Sequence, residues 1–122
     1  MQERRRYIRF IIEGSATLTP GDEPPRTIKA DLADISSTGV GILARDALAL
    51  GSSVTFELIT NLWNEPVLGE GRVVYIKAMP KGAFRIGMDF AAVDKAALRG
   101  IINRLQAEAC DQLKKKRTWQ AW

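Results

Sequence analysis

Four arginines stand within six positions near the start of the chain, in Arg4-Arg5-Arg6-Tyr7-Ile8-Arg9. A guanidinium is a planar fork of donors. It grips a phosphate bidentately, meets the O6 and N7 acceptors of guanine, and stacks its flat face on a base. In extended backbone Arg5 and Arg9 project to the same side, opposite Ile8 and Phe10. Further along, Asp34-Ile35-Ser36-Ser37-Thr38-Gly39 offers a complementary set. The Asp34 carboxylate has two acceptor oxygens for the paired N–H donors on guanine's Watson–Crick edge. Ser36 adds a hydroxyl, and Gly39 lets a ligand approach the backbone closely. Each segment alone also has a plainer reading. The arginines are compatible with a solvated basic arm. Asp-x-Ser-x-x-Gly is compatible with a polar turn in which Asp and Ser bond local backbone and Gly supplies a positive φ.

The rest of the composition removes chemistry. There is no histidine, so the commonest general base at neutral pH, the Ser-His and Cys-His pairs and the imidazole metal ligand are all missing. One cysteine, Cys110, makes neither an internal disulfide nor a zinc site. No Gly-rich phosphate loop of the Walker type occurs, and no two carboxylates stand out as a catalytic couple. Neither an enzyme nor a metal centre is expected, and no catalytic residue is assigned. A net charge of +4 suggests an anionic partner. No apolar run is long enough to span a membrane, and the charged start lacks the h-region and cleavage site of a secretory signal. A cytoplasmic protein without membrane insertion is the expectation.

The elements that must position these residues are mostly strands. Residues 8–18 alternate, with Ile8, Phe10, Ile12, Ala16 and Leu18 on one face. Pro20 to Pro25 is a turn by composition. Ile28, Ala30 and Leu32 face inward on a second strand, a pattern that Asp34 to Gly39 breaks before Val40 to Ala44 resumes it. Val54 to Leu58, Val67 to Ile76 and Phe84 to Phe90 complete six strands, with Gly69 and Gly71 marking a bulge or bend. Six such strands with no helix between them predict an antiparallel barrel or sandwich. The period then becomes helical. Asp94 is a candidate N-cap, and Leu98, Ile101, Ile102, Leu105 and Ala109 form an apolar stripe, beside which Cys110 is expected to pack. Lys114 to Arg117 suits a helix C-terminus. Trp119 and Trp122 fall in what reads as a loose end, and Trp63 in the 61–66 connection has no assigned role.

Taken together, Arg4, Arg5 and Arg9, followed by Asp34, Ser36 and Gly39, resemble the R-R-x-x-x-R and D-x-S-x-x-G signature of the PilZ domain family. Gly71-Arg72-Val73-Val74-Tyr75 and Arg85-Ile86-Gly87-Met88-Asp89-Phe90 echo it further. The resemblance covers about residues 4–90, with no motif position departing from it. It implies a mostly β fold: a six-stranded antiparallel β-barrel over about 8–90 with a C-terminal α-helix over about 94–117. Residues 1–117 would form one domain and 118–122 a tail.

The resemblance also implies cyclic di-GMP as ligand, bound by Arg4, Arg5, Arg9, Asp34, Ser36 and Gly39. An arginine just before R-x-x-x-R, here Arg4, goes with an intercalated ligand dimer in the family. The expected role is relay of the second messenger to an unidentified effector protein, in motility or biofilm control, by ordering of the arginine arm. Two rivals are a PilZ-like interaction module without nucleotide and a small barrel binding single-stranded nucleic acid. The intact motif set argues against the first. The second needs exposed aromatic platforms, whereas Phe10, Phe56 and Phe84 read as inward, so no nucleic-acid polymer is expected.

Overall fold

Alternation of apolar and polar residues buries one side of each strand, and a sheet long enough to cover its own apolar side closes on itself. The computed structural model describes residues 8–21 and 25–120, with side chains through Cys110. Its strands are β1 (Phe10–Ile11), β2 (Ser15–Pro20), β3 (Ile28–Ile35), β4 (Gly39–Ala44), β5 (Ser53–Ile59), β6 (Val67–Ala78) and β7 (Phe84–Val93), followed by helix α1 (Lys95–Gln120). Hydrogen-bonded neighbours run β3-β2-β5-β6-β7-β4, and β4 pairs back to β3. This is a closed six-stranded antiparallel barrel. The seventh strand, β1, adds to β3 beyond the end of β2.

The interior is the apolar face expected from alternation. Ala16, Leu18, Ile28, Ala30, Leu32, Val54, Phe56, Leu58, Ile86 and Met88 are buried. Phe10 and Phe84 pack partly against this core. Ile8 departs from the expectation: it precedes β1 and is 71% exposed. The expected single strand over 8–18 is also two strands, because Gly14 interrupts the ladder. Its φ is +152°, and any side chain there would run into the Ile59 carbonyl.

Asp94 caps α1 as expected. Its Oδ1 accepts the Ala97 N–H at 3.2 Å, and its carbonyl accepts Leu98 N–H at 3.0 Å. Ala97, Leu98, Ile101 and Leu105 bury the helix's apolar stripe, with Ile102 and Ala109 at its margin. The helix backbone runs to Gln120, beyond the expected end at 117. Cys110 is exposed, not packed. It follows Ala109 directly and so lies about 100° further round the helix, off the apolar stripe.

Trp63, which the sequence left without a role, joins the connection to the helix. It packs against the core, and its ring fills the space that a side chain at Gly100 would need. A glycine inside a helix costs about 1 kcal/mol relative to alanine. Here the ring and the helix backbone meet too closely for a methyl group. Gly100→Ala is therefore expected to lower stability by about 1–2 kcal/mol despite its better helix propensity. Urea unfolding followed by circular dichroism measures this, and the propensity gain alone would give the opposite sign.

Candidate functional site

Asp34 shares the parity of Ile28, Ala30 and Leu32, so strict alternation would send its carboxylate into the barrel. The β3–β4 register shows why it does not. Leu32 faces Ile42, Asp34 faces Gly41 and Ile35 faces Val40, leaving Ala33 as the extra residue of a bulge. One inserted residue exchanges the two faces. Ile35 goes inward at 1% exposure, and Asp34 turns to the outer wall.

A second bulge does the same on the far side. Val73 faces Met88 and Tyr75 faces Gly87, so Val74 is extra and Tyr75 joins the outer face. The pairings Asp34–Gly41, Gly41–Gly87 and Gly87–Tyr75 then form one row across β3, β4, β7 and β6. At ordinary strand spacing this row is about 14 Å long. Its middle two positions carry no side chain. A Cβ at Gly41 would lie 2.6 Å from Asp34 Oδ1, and one at Gly87 would lie 3.3 Å from Tyr75 Cβ. The carboxylate and the phenol ring thus border a bare floor of backbone.

Two guanidinium groups hold the carboxylate. Arg9 donates to Asp34 Oδ1 through Nε at 3.0 Å and through a terminal nitrogen at 2.8 Å. Arg85, from β7, reaches across β4 to Oδ2. The arrangement leaves Asp34 only 7% exposed, while the arginines stay partly open to solvent. A cavity of about 240 Å³ opens here, lined by Arg9, Gly41, Tyr75, Arg85 and Gly87 among others. A larger cleft of about 470 Å³ lies between Ser37-Thr38 and the first turns of α1. Phe90, Val93, Leu98 and Ile102 line it with Lys95 and Arg99, and no carboxylate faces it.

The structure brings Arg9 and Asp34 together as a direct ion pair. Arg4 and Arg5 lie outside the described residues. Ser36 is 1% exposed, and its hydroxyl accepts the N–H groups of Thr38 and Gly39 at 3.2 Å each. Ser36 N–H in turn bonds the Gly39 carbonyl at 2.9 Å. The hydroxyl serves the turn itself. Gly39 is buried without a positive φ; a side chain there would meet the Met88 carbonyl. Its smallness admits the neighbouring strand, and the positive φ of the plain turn reading is not found. Arg85, Gly41, Gly87 and Tyr75 carried no site assignment in the sequence. The unused signal was their glycine-rich pairing, which is readable only once the strands are in register. Among the described residues, no three or more Cys, Asp or Glu side chains gather as a metal site.

The model of the family described as PilZ domain matches residues 3–107. The chain belongs to the PilZ domain family. Solved PilZ structures share its fold. The PilZ domain of YcgR from Escherichia coli with c-di-GMP superposes with a TM-score of 0.68 at 20% identity, covering 93% of this chain and 99% of that one. YcgR from Escherichia coli in complex with c-di-GMP gives 0.73 at 23% identity, over 93% of this chain and 50% of that one. The Bacillus subtilis inhibitor of motility MotI/DgrA gives 0.64 at 19% identity, over 84% and 52%. This PilZ chain thus spans about half the length of the longer proteins it matches. Comparison with curated proteins by sequence gives no match.

Removing the carboxylate would leave two guanidinium groups facing each other without a counter-ion. Asp34→Ala is therefore expected to lower the stability of the PilZ fold by about 1–3 kcal/mol. Chemical denaturation measures it, and high salt should shrink the loss by screening the two cations.

Proposed function

We propose that this PilZ domain is a receptor for cyclic di-GMP. The observation that carries the reading is the Asp34 carboxylate, turned out over the bare Gly41–Gly87 floor and flanked by Arg9 and Arg85. A guanine needs an acceptor pair for its N1–H and N2–H donors, a flat surface for its ring and cations for the attached phosphates. The site supplies all three kinds of group. Tyr75 adds an exposed aromatic edge to the floor. Both YcgR structures hold the same ligand, which supports the reading.

Arg9 is assigned to phosphate and guanine, Asp34 to the Watson–Crick edge, and Ser36 and Gly39 to the shape of the turn that carries Asp34. Arg4 and Arg5 extend the cationic side. Titration calorimetry with cyclic di-GMP tests this directly. Arg9→Ala should weaken binding by about 2–5 kcal/mol, as loss of a charged bidentate contact does. Asp34→Ala should cost less, and Lys81→Ala, far from the floor, should cost nothing measurable. An Arg9→Ala variant that bound like the parent protein would remove the site assignment.

Arg4 stands immediately before the R-x-x-x-R element. A further guanidinium offers purine surface to stack on and offsets phosphate charge, so the receptor is assigned an intercalated ligand dimer. The expected calorimetric ratio is two ligands per chain, falling to one in Arg4→Ala. A ratio of one in the parent protein would reject the dimer.

The relay to an effector protein is assigned to the arginine segment. A dianionic ligand bridging Arg4 to Arg9 with Asp34 makes a new surface from both, which a partner reads. Hydrogen exchange should then show added protection at residues 3–10 and 34–40 with ligand, and little change at 54–58 and 84–90. Uniform protection around the barrel would reject this relay while leaving binding intact.

A further inference from the structure

We infer that Arg85 is a positioning residue for guanine recognition: it stays on Asp34 as the carboxylate's permanent counter-ion while Arg9 exchanges onto the ligand. The inference rests on the receptor reading above. It adds a residue that belongs to neither the arginine segment nor the Asp-x-Ser-x-x-Gly turn.

The two arginines divide the carboxylate between them. Arg9 takes Oδ1 with two donors, and Arg85 takes Oδ2. A cyclic dinucleotide presenting a guanine to Asp34 must compete with at least one of them. Oδ1, which leans over Gly41, already accepts two bonds from Arg9, so it has no lone pair left for an incoming donor. Oδ2 has a second lone pair and can accept from Arg85 and from one guanine N–H together. The electron-pair count thus makes Arg9 the group that must leave.

Anchoring gives the same answer. Arg85 sits within β7, which is bonded to β6 on one side and to β4 on the other. Moving its backbone would open two ladders of a closed barrel. Arg9 precedes β1, whose two residues pair with β3 alone. Phosphate oxygens arriving with the guanine offer Arg9 a new charged partner, so the exchange does not strand a cation. Arg85 lines the same cavity as Gly41 and Gly87, so it stands at the margin of the bare floor that is open to the base. With Arg85 in place, Asp34 keeps its outward direction after Arg9 departs. Without it, the carboxylate either keeps Arg9 or swings from the floor, and the guanine loses its acceptor pair.

The experiment compares cyclic di-GMP with cyclic di-IMP, which lacks the 2-amino donors but keeps both phosphates. Both are titrated by calorimetry into the parent protein, Arg85→Ala and Arg85→Lys, with thermal unfolding to verify each fold. Arg85→Ala is expected to weaken cyclic di-GMP about tenfold or more while changing cyclic di-IMP much less, so that the preference for guanine collapses. Arg85→Lys, which keeps a cation of similar reach, should recover part of that preference. Equal weakening of both ligands would mean that Arg85 grips the phosphates directly, and would overturn the inference. So would an unchanged preference in Arg85→Ala. Should Arg85→Ala fail to fold, Arg85→Gln against Arg85→Lys gives the same comparison. A parent protein that binds neither ligand overturns the receptor reading and this inference with it, whereas a parent that binds with normal variants overturns only the inference.

Discussion

A carboxylate cannot stand unpaired in a core built from Ile28, Ala30 and Leu32, and strict alternation along β3 would put Asp34 there. The single extra residue at Ala33 resolves the conflict by exchanging the faces of the strand. Ile35 closes the core and Asp34 emerges onto the outer wall. Much of the site follows from that exchange. Once outside, the carboxylate lies opposite Gly41, where the absence of a side chain makes room for it, and Arg85 reaches it from β7. Arg9 approaches from the opposite side, because its own parity matches that of Ile11, the cross-strand partner of Asp34. Two cations at once are tolerated because each carboxylate oxygen serves one of them.

The floor beside Asp34 depends on a different economy of side chains. Strands in a small barrel normally carry a residue outward at every second position. At Gly41 and Gly87 that position is empty, so a flat group can lie against backbone between the carboxylate and Tyr75. Tyr75 faces the floor only because Val74 is bulged. The barrel therefore places the outward groups of the candidate site with two register shifts and two glycines, while the inward face keeps an unbroken apolar packing. Edge strands are absent from the barrel proper, which holds β4 and β7 stiff beneath the floor. Rigid support of this kind suits recognition by a fixed acceptor pair.

The turn following β3 is the other half of the same device. Ser36 and Gly39 are both drawn into the structure, one by bonding the turn's own N–H groups and the other by admitting the Met88 carbonyl. Phe90 N–H bonds the Thr38 carbonyl at 2.9 Å and ties the turn to β7. The plain reading of these two residues as turn formers and their membership of the family motif are therefore compatible. They fix where β3 ends, and with it the direction in which Asp34 points.

By itself the sequence determined an antiparallel barrel or sandwich, most of its inward residues, the capped helix and, through its motifs, the family resemblance that chose the barrel. Those follow from local periodicity, from Asp94 before the apolar stripe, and from two motifs whose residue types state their chemistry. It also marked Asp34 as the place where the inward pattern stops, without saying which way the side chain goes. Direction is a property of register, and register is set by pairing with β4 and β1. For the same reason Arg85, Gly41, Gly87 and Tyr75 were invisible as a group. They come from three strands, of which β4 is far from β6 and β7 in the chain, and become neighbours only when hydrogen bonds align those strands. The outward position of Ile8 and the contact between Trp63 and Gly100 were decided likewise by where the barrel surface ends and where the helix crosses a loop. Periodicity tells each strand which residues to hide, but only the closed sheet sets which exposed residues stand side by side.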